Sequence, residues 1–252
     1  MASRTAPDEP GGEMTLIEHL TELRSVLIQC VVALAVTSVL AWFVSDRAVD
    51  LLIHPAVGST EKLVFLSPAG AFMLRMKTAL GIGLFLAMPV VAWRIWSFVV
   101  PGLLGRERRM LLPLIVSSIL LFYTGAAFAY FAILPISIKF LLGFGTESLQ
   151  PMISGEHYFQ FALRLLLAFG AVFQFPLVVA VLTWWEILDP DFLGRYWRYG
   201  VVVVFALSAL LTPPDVASQV LMAGPVLVLY FASMGVAKLI ARNREKERKA
   251  QE

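Results

Sequence analysis

Cysteine, histidine and charge are all scarce in this chain. It has a single cysteine, Cys30, so no disulfide can form within it and its redox compartment cannot be read from thiol usage. Its three histidines, His19, His54 and His157, stand far apart, and none has a partner at metal-ligand spacing. No serine sits in a G-x-S-x-G elbow or beside an intramembrane histidine, and neither a P-loop nor a dinucleotide fingerprint occurs. These absences speak against hydrolase, metalloenzyme and nucleotide-dependent chemistry. The expectation is a protein that is not an enzyme, with no cofactor and no metal, whose work is recognition or passage. Only 15% of the 252 residues are Asp, Glu, Lys or Arg and 59% are hydrophobic, with a mean hydropathy of +0.79. A soluble domain of this length carries far more charge.

What the chain has in quantity is long apolar runs. Six are read as transmembrane helices: Ser25 to Val44, Ala69 to Val99, Leu111 to Leu134, His157 to Trp185, Tyr199 to Leu211, and a sixth ending near Ile240. The reading is an all-α membrane protein with six spans in a cupped bundle, Pro89 and Pro176 bending spans two and four. Residues 1–13, with Pro7, Pro10 and paired glycines, read as a disordered tail. Residues 14–24 read as an amphipathic interfacial helix, 25–240 as the membrane domain and 241–252 as a charged tail. Acidic rather than basic residues precede the first span, so it is expected to be retained and not cleaved. The segments between Asp46 and Glu61 and between Pro135 and Glu156 read as polar loops.

Basic residues divide unevenly between the two sets of loops. One set holds Arg24, Arg106, Arg108, Arg109, Arg195, Arg198 and the tail, while the other holds Arg47, Lys62 and Lys139. The Lys/Arg excess marks cytoplasmic loops, which puts both termini in the cytoplasm. Trp93, Trp96, Trp184, Trp185, Tyr196 and Trp197 fit an inner interfacial belt, and Trp42 an outer one. Between Arg198 and Lys238 about forty residues must make two crossings and a turn, whereas each crossing takes about 20. Spans five and six are therefore short. Local thinning of the bilayer and a tilted neighbour covering the gap both explain this.

The stretch from Thr15 to Arg24 places carboxylates where the chain enters the membrane. Thr15 and Glu18 have capping-box spacing. Leu16, Ile17, Leu20, Leu23 and Leu27 form one apolar face, with Glu18 and Glu22 one turn apart on a more polar side.

Four segments in order carry a family resemblance. His19-Leu20-Thr21-Glu22-Leu23-Arg24 resembles the HL-x-ELR motif of TatC, the multispanning core of the twin-arginine protein translocase. Phe98-Val99-Val100-Pro101-Gly102-Leu103 with Arg106-Glu107-Arg108-Arg109 is similar to that family's first cytoplasmic loop. The stretch from Leu121 to Tyr130 resembles its third span, and Leu211-Thr212-Pro213-Pro214-Asp215 with Ser218-Gln219 its last outer turn. The resemblance implies a subunit that binds twin-arginine signal peptides of folded cargo. It also implies assembly with single-span TatA and TatB partners, association with further copies of itself, and export driven by the proton motive force. Glu22 and Glu107 are the expected recognition carboxylates, with Leu20, Arg24, Phe98 and Arg109 around them. Gln174, Thr212 and Pro213 are expected to dock partner helices, and Pro55 and Asp215 to serve as structural loop residues, Asp215 as the N-cap of span six.

The residues alone leave alternatives. Glu22 and Glu107 can pair with neighbouring arginines at little energetic consequence. Gln174 stands where the family often has a glutamate, and its amide cannot titrate; it either docks a partner helix or makes an interhelical hydrogen bond worth roughly 1 kcal/mol. Arg75 and Lys77 are expected to snorkel toward the outer headgroups. A solute transporter would need an inverted repeat and a midplane site of broken helices, neither of which is evident.

Overall fold

The fold was obtained as a computed structural model, which describes residues 16–57, 64, 67–99, 108–143, 153–211 and 216–249. Among the described residues ten α-helices follow one another: α1 Leu16–Trp42, α2 Ser45–Val57, α3 Gly70–Val99, α4 Arg108–Phe128, α5 Leu134–Leu142, α6 Gly155–Val172, α7 Phe175–Trp184, α8 Phe192–Arg195, α9 Trp197–Leu211 and α10 Val216–Lys249. A π-helical turn, Ala129–Ile133, joins α4 to α5. Extended pairing among the described residues is confined to one bridge between Val64 and Ser154. Among the described residues five helical stretches are long and apolar enough to cross a membrane, and α9 is a shorter apolar one. At 1.5 Å per residue the 15 residues of α9 span about 22 Å, short of a hydrocarbon core of ~30 Å. The helix that carries span six, α10, is not short as expected but runs for 34 residues, because the charged tail stays helical to Lys249.

The amphipathic stretch and the first span form one continuous helix, α1. Its apolar face points away from the protein: Ile17, Leu20 and Leu27 are exposed, whereas His19, Glu22, Val26 and Gln29 on the other side are half-buried. Apolar lipid makes this arrangement stable, since leucine gains nothing by leaving it for the protein interior. The half-buried side packs along α3, and the two helices run antiparallel. Thr37 Oγ1 donates to the Gly83 carbonyl at 2.7 Å. A Cβ at Gly83 would stand 2.6 Å from the Ser38 Cα, so only glycine allows this approach.

The core centres on α6. Phe159, Ala162, Leu165 and Phe169 are almost wholly buried and pack with Leu74 of α3, Ile133, Leu134 and Met222 of α10. A second cluster joins Ala92 and Trp96 of α3 to Ile115 and Val181. Trp96 belongs to this packed core and not to the expected belt, while Trp93, Trp184 and Trp197 are exposed as belt residues would be.

Three further expectations change. The segment after span one is not a loop: Ser45–Val57 is helical, held by Leu52 in the main core with Val49 and Ile53 against it. Pro55 therefore lies in the last turns of a helix instead of in a loop. The segment from Pro135 continues as α5 to Leu142, because Ile138 buries against the main core. Span four breaks at Phe173 and Gln174, ahead of Pro176 in the first turn of α7.

Two of the helix-interior prolines are met in the same way. Proline lacks the N–H that would bond the carbonyl four residues earlier, and lipid offers no water to replace it. Pro89 leaves the Phe85 carbonyl free, and Tyr123 Oη donates to it at 2.8 Å. Pro55 leaves the Leu51 carbonyl free, and Tyr130 Oη donates to it at 2.7 Å. In both helices a tyrosine, from α4 or from the π-helical turn after it, supplies the lost donor. Replacing Tyr123 with Phe is expected to lower stability by about 1–2 kcal/mol. Adding Pro89→Ala should recover most of that loss, since the restored N–H satisfies Phe85. Denaturation of the four members of this double-mutant cycle measures the coupling, and strictly additive effects would refute the assignment.

Candidate functional site

The antiparallel run of α1 and α3 brings the start of one helix to the end of the other. There the His19 and Phe98 rings stack, with centroids 4.5 Å apart and planes 20° from parallel. Glu22 follows His19 by one turn on the same protein-facing side of α1 and is half-buried. No described residue forms an ion pair with Glu22, Arg24 included. Leu20 and Arg24 are exposed on the flanks. Arg94, exposed one turn before Phe98 on α3, adds a cation that the sequence reading did not single out. Its signal was its place within the Trp93–Trp96 segment at the end of an apolar run. His19 was weighed only as a metal ligand, and its aromatic contact depends on a helix distant in sequence.

Other expected residues are placed to varying degree. Glu107 falls outside the described residues, as do Thr212, Pro213 and Asp215. Arg109 lies in the first turn of α4. Gln174 sits at the break between α6 and α7, where it forms a reciprocal pair with α4. The Ser118 hydroxyl donates to Gln174 Oε1 at 2.6 Å, and Gln174 Nε2 donates to the Ser118 carbonyl at 3.0 Å. Each end of the amide thus keeps one further hydrogen-bonding position.

Ion pairs occur at both ends of the bundle. Arg75 pairs with Asp46 and lies over the Trp42 ring, and Lys77 Nζ bonds Glu156 Oε1 at 2.8 Å. Protein carboxylates hold these two cations, so their charge is met within the chain and not only by headgroups. At the other end, α10 is tied to the segment after α7. Tyr230 Oη donates to the Leu193 carbonyl at 2.8 Å. Lys238 approaches Asp191 at 3.5 Å, and Arg244 pairs with Glu186 at 2.9 Å while also donating to the Trp184 carbonyl. The basic tail therefore caps the C-terminus of α7, where a cation also meets the negative end of the helix dipole.

Known proteins match this chain over most of its length. The family model for the Sec-independent protein translocase protein (TatC) matches residues 18–225. The chain belongs to the TatC family. The TatC of Carboxydothermus hydrogenoformans is 44% identical over 228 residues, covering 90% of this chain and 94% of its own. The TatC of Aquifex aeolicus is 38% identical over 241 residues, covering 94% of this chain and 100% of its own. A crystal structure of the twin-arginine translocase receptor TatC is similar at a TM-score of 0.83 and 38% identity, covering 89% of this chain and 100% of that one. As a TatC-family protein the chain is a multi-pass membrane protein and a subunit of a protein translocase, not an enzyme.

Within this TatC fold, Glu186 holds a left-handed backbone with φ 58°, which costs a non-glycine residue roughly 1–2 kcal/mol. Its pair with Arg244 is largely exposed and worth at most about 1 kcal/mol. Glu186→Gly is therefore expected to leave stability nearly unchanged, relief of strain offsetting loss of the pair. Arg244→Ala also removes the cap on Trp184 and should destabilise by about 1 kcal/mol or more. Hydrogen exchange across residues 184–192 distinguishes the two, faster exchange being expected only for the Arg244 variant.

Proposed function

We propose that this chain is the receptor core of a twin-arginine translocase, with Glu22 and Glu107 receiving the paired arginines of a signal peptide. The observation that carries the reading is the Glu22 carboxylate, held half-buried beside the His19–Phe98 stack with no described cation against it. A carboxylate matches a guanidinium fork through paired charge-assisted hydrogen bonds, worth about 1.5–3 kcal/mol each. Lysine offers a point charge and makes a poorer ligand. Leu20 and Phe98 supply apolar contact, and Arg24 and Arg109 frame the acidic centre. Glu107 follows α3 in the segment that leads to α4, so a short connection from Phe98 is all that separates it from this end of the bundle.

In this reading both termini and the site face the cytoplasm, as the basic loops require. The subunit assembles with single-span TatA and TatB and with further copies of itself at the inner membrane, and the proton motive force drives passage of folded cargo. Gln174, Thr212 and Pro213 contact partner helices, Gln174 through the amide positions left open beside Ser118. Pro55 and Asp215 maintain the outer connections.

Photocrosslinking of a twin-arginine peptide to the cytoplasmic face tests the carboxylates. Glu22→Gln and Glu107→Gln are each expected to weaken capture roughly tenfold or more, as is replacement of the peptide's arginines by lysines. Undiminished capture by either variant removes that glutamate from the role.

A further inference from the structure

At the opposite end of α1 and α3 lies a groove of about 240 Å³. Val39, Trp42 and Phe43 line one wall, and Met76, Ala79 and Leu80 the other. Its surface is almost wholly apolar, and its mouth is not. Arg75 stands over Trp42, 5.5 Å from the ring centroid. The guanidinium donates through Nε to the Ser45 hydroxyl at 3.1 Å and through Nη2 to Asp46. A guanidinium has five N–H groups, so most of this one's remain open. The Asp46 side chain is 71% exposed and that of Arg75 43%. One apolar slot thus opens beneath an accessible cation and an accessible anion, beside a tryptophan at the end of a span, where membrane meets water.

We propose that this groove binds one phospholipid with a primary-ammonium headgroup. An acyl chain fills the slot between Trp42 and Leu80, the phosphate takes the open N–H edge of Arg75, and the ammonium takes the Asp46 carboxylate. The mouth carries both signs, which a zwitterion matches and a purely anionic head does not. A partner helix would seat only a side chain or two in a groove of about 240 Å³ and would leave the two charges at its mouth without a zwitterionic match, whereas a lipid answers both the apolar slot and the charges. The site is independent of the signal-peptide face and does not rest on the function proposed above.

Native mass spectrometry of the full chain in detergent tests it, with phosphatidylethanolamine, phosphatidylcholine and phosphatidylglycerol of identical acyl chains as probes. The first ethanolamine lipid should be retained roughly tenfold more tightly than the other two, the ratio expected from one added charge-assisted bond. Asp46→Asn should erase that preference, and Arg75→Gln should weaken all three lipids. Leu80→Trp, at an exposed position, should fill the slot and abolish tight retention. Equal retention of the three headgroups, or retention unchanged by Leu80→Trp, overturns the proposal. So does a co-purifying single-span protein that Leu80→Trp releases, since that would make a helix the occupant.

Discussion

A carbonyl that faces hydrocarbon has no water to turn to, and most of the architecture follows from that constraint. Helices meet it along their length, and the informative places are where a helix cannot. Proline opens the ladder in α2 and α3, and the α4 segment closes it with Tyr130 and Tyr123. Tyr158 and Tyr230 likewise donate to backbone carbonyls of other helices, those of Leu52 and Leu193, with their hydroxyls at 2.6 and 2.8 Å, though no proline opened these. These phenols are rigid, largely apolar and polar only at the tip, so they cross lipid-like surroundings at low cost and end in a bond. At the break between α6 and α7 the Gln174 amide ties the bend to Ser118 of α4. The tyrosines and this amide make side-chain hydrogen bonds that link one helix to another across the bundle.

The same solvent logic sets the orientation of α1. In water its leucine face would turn inward; here it turns outward and leaves the polar side against α3. Glu22 is thereby held at the protein edge and not in the headgroups. The close approach at Gly83 keeps α1 and α3 in register over their full length. That register aligns His19 with Phe98 at one end and Trp42 and Ser45 with Arg75 at the other. Two polar sites of different chemistry thus arise from a single antiparallel helix pair.

Much of this was legible in advance. The apolar runs mark the spans, and four short motifs in order identify the TatC family. The helix α2 was missed although Ala48, Val49, Leu52 and Ile53 recur at helical spacing, because Pro55 and the acidic residues read as loop signals. Trp96 reads as an interfacial aromatic by its place near the end of a span, and only its neighbours Ile115 and Val181 make it core. The basic tail reads as solvated, yet Arg244 reaches a carbonyl 60 positions away in the chain.

The sequence by itself determined which segments lie in the membrane, which family they make and which residue types stand at the membrane boundary. Hydropathy is a property of each run alone and needs no partner to be read. The tertiary structure alone decided which face of α1 meets protein, which donors replace the N–H groups that proline removes, and which charges are matched within the chain. Those outcomes depend on distances between helices far apart in sequence. In a medium without water, a polar group's state is set by the neighbour that reaches it.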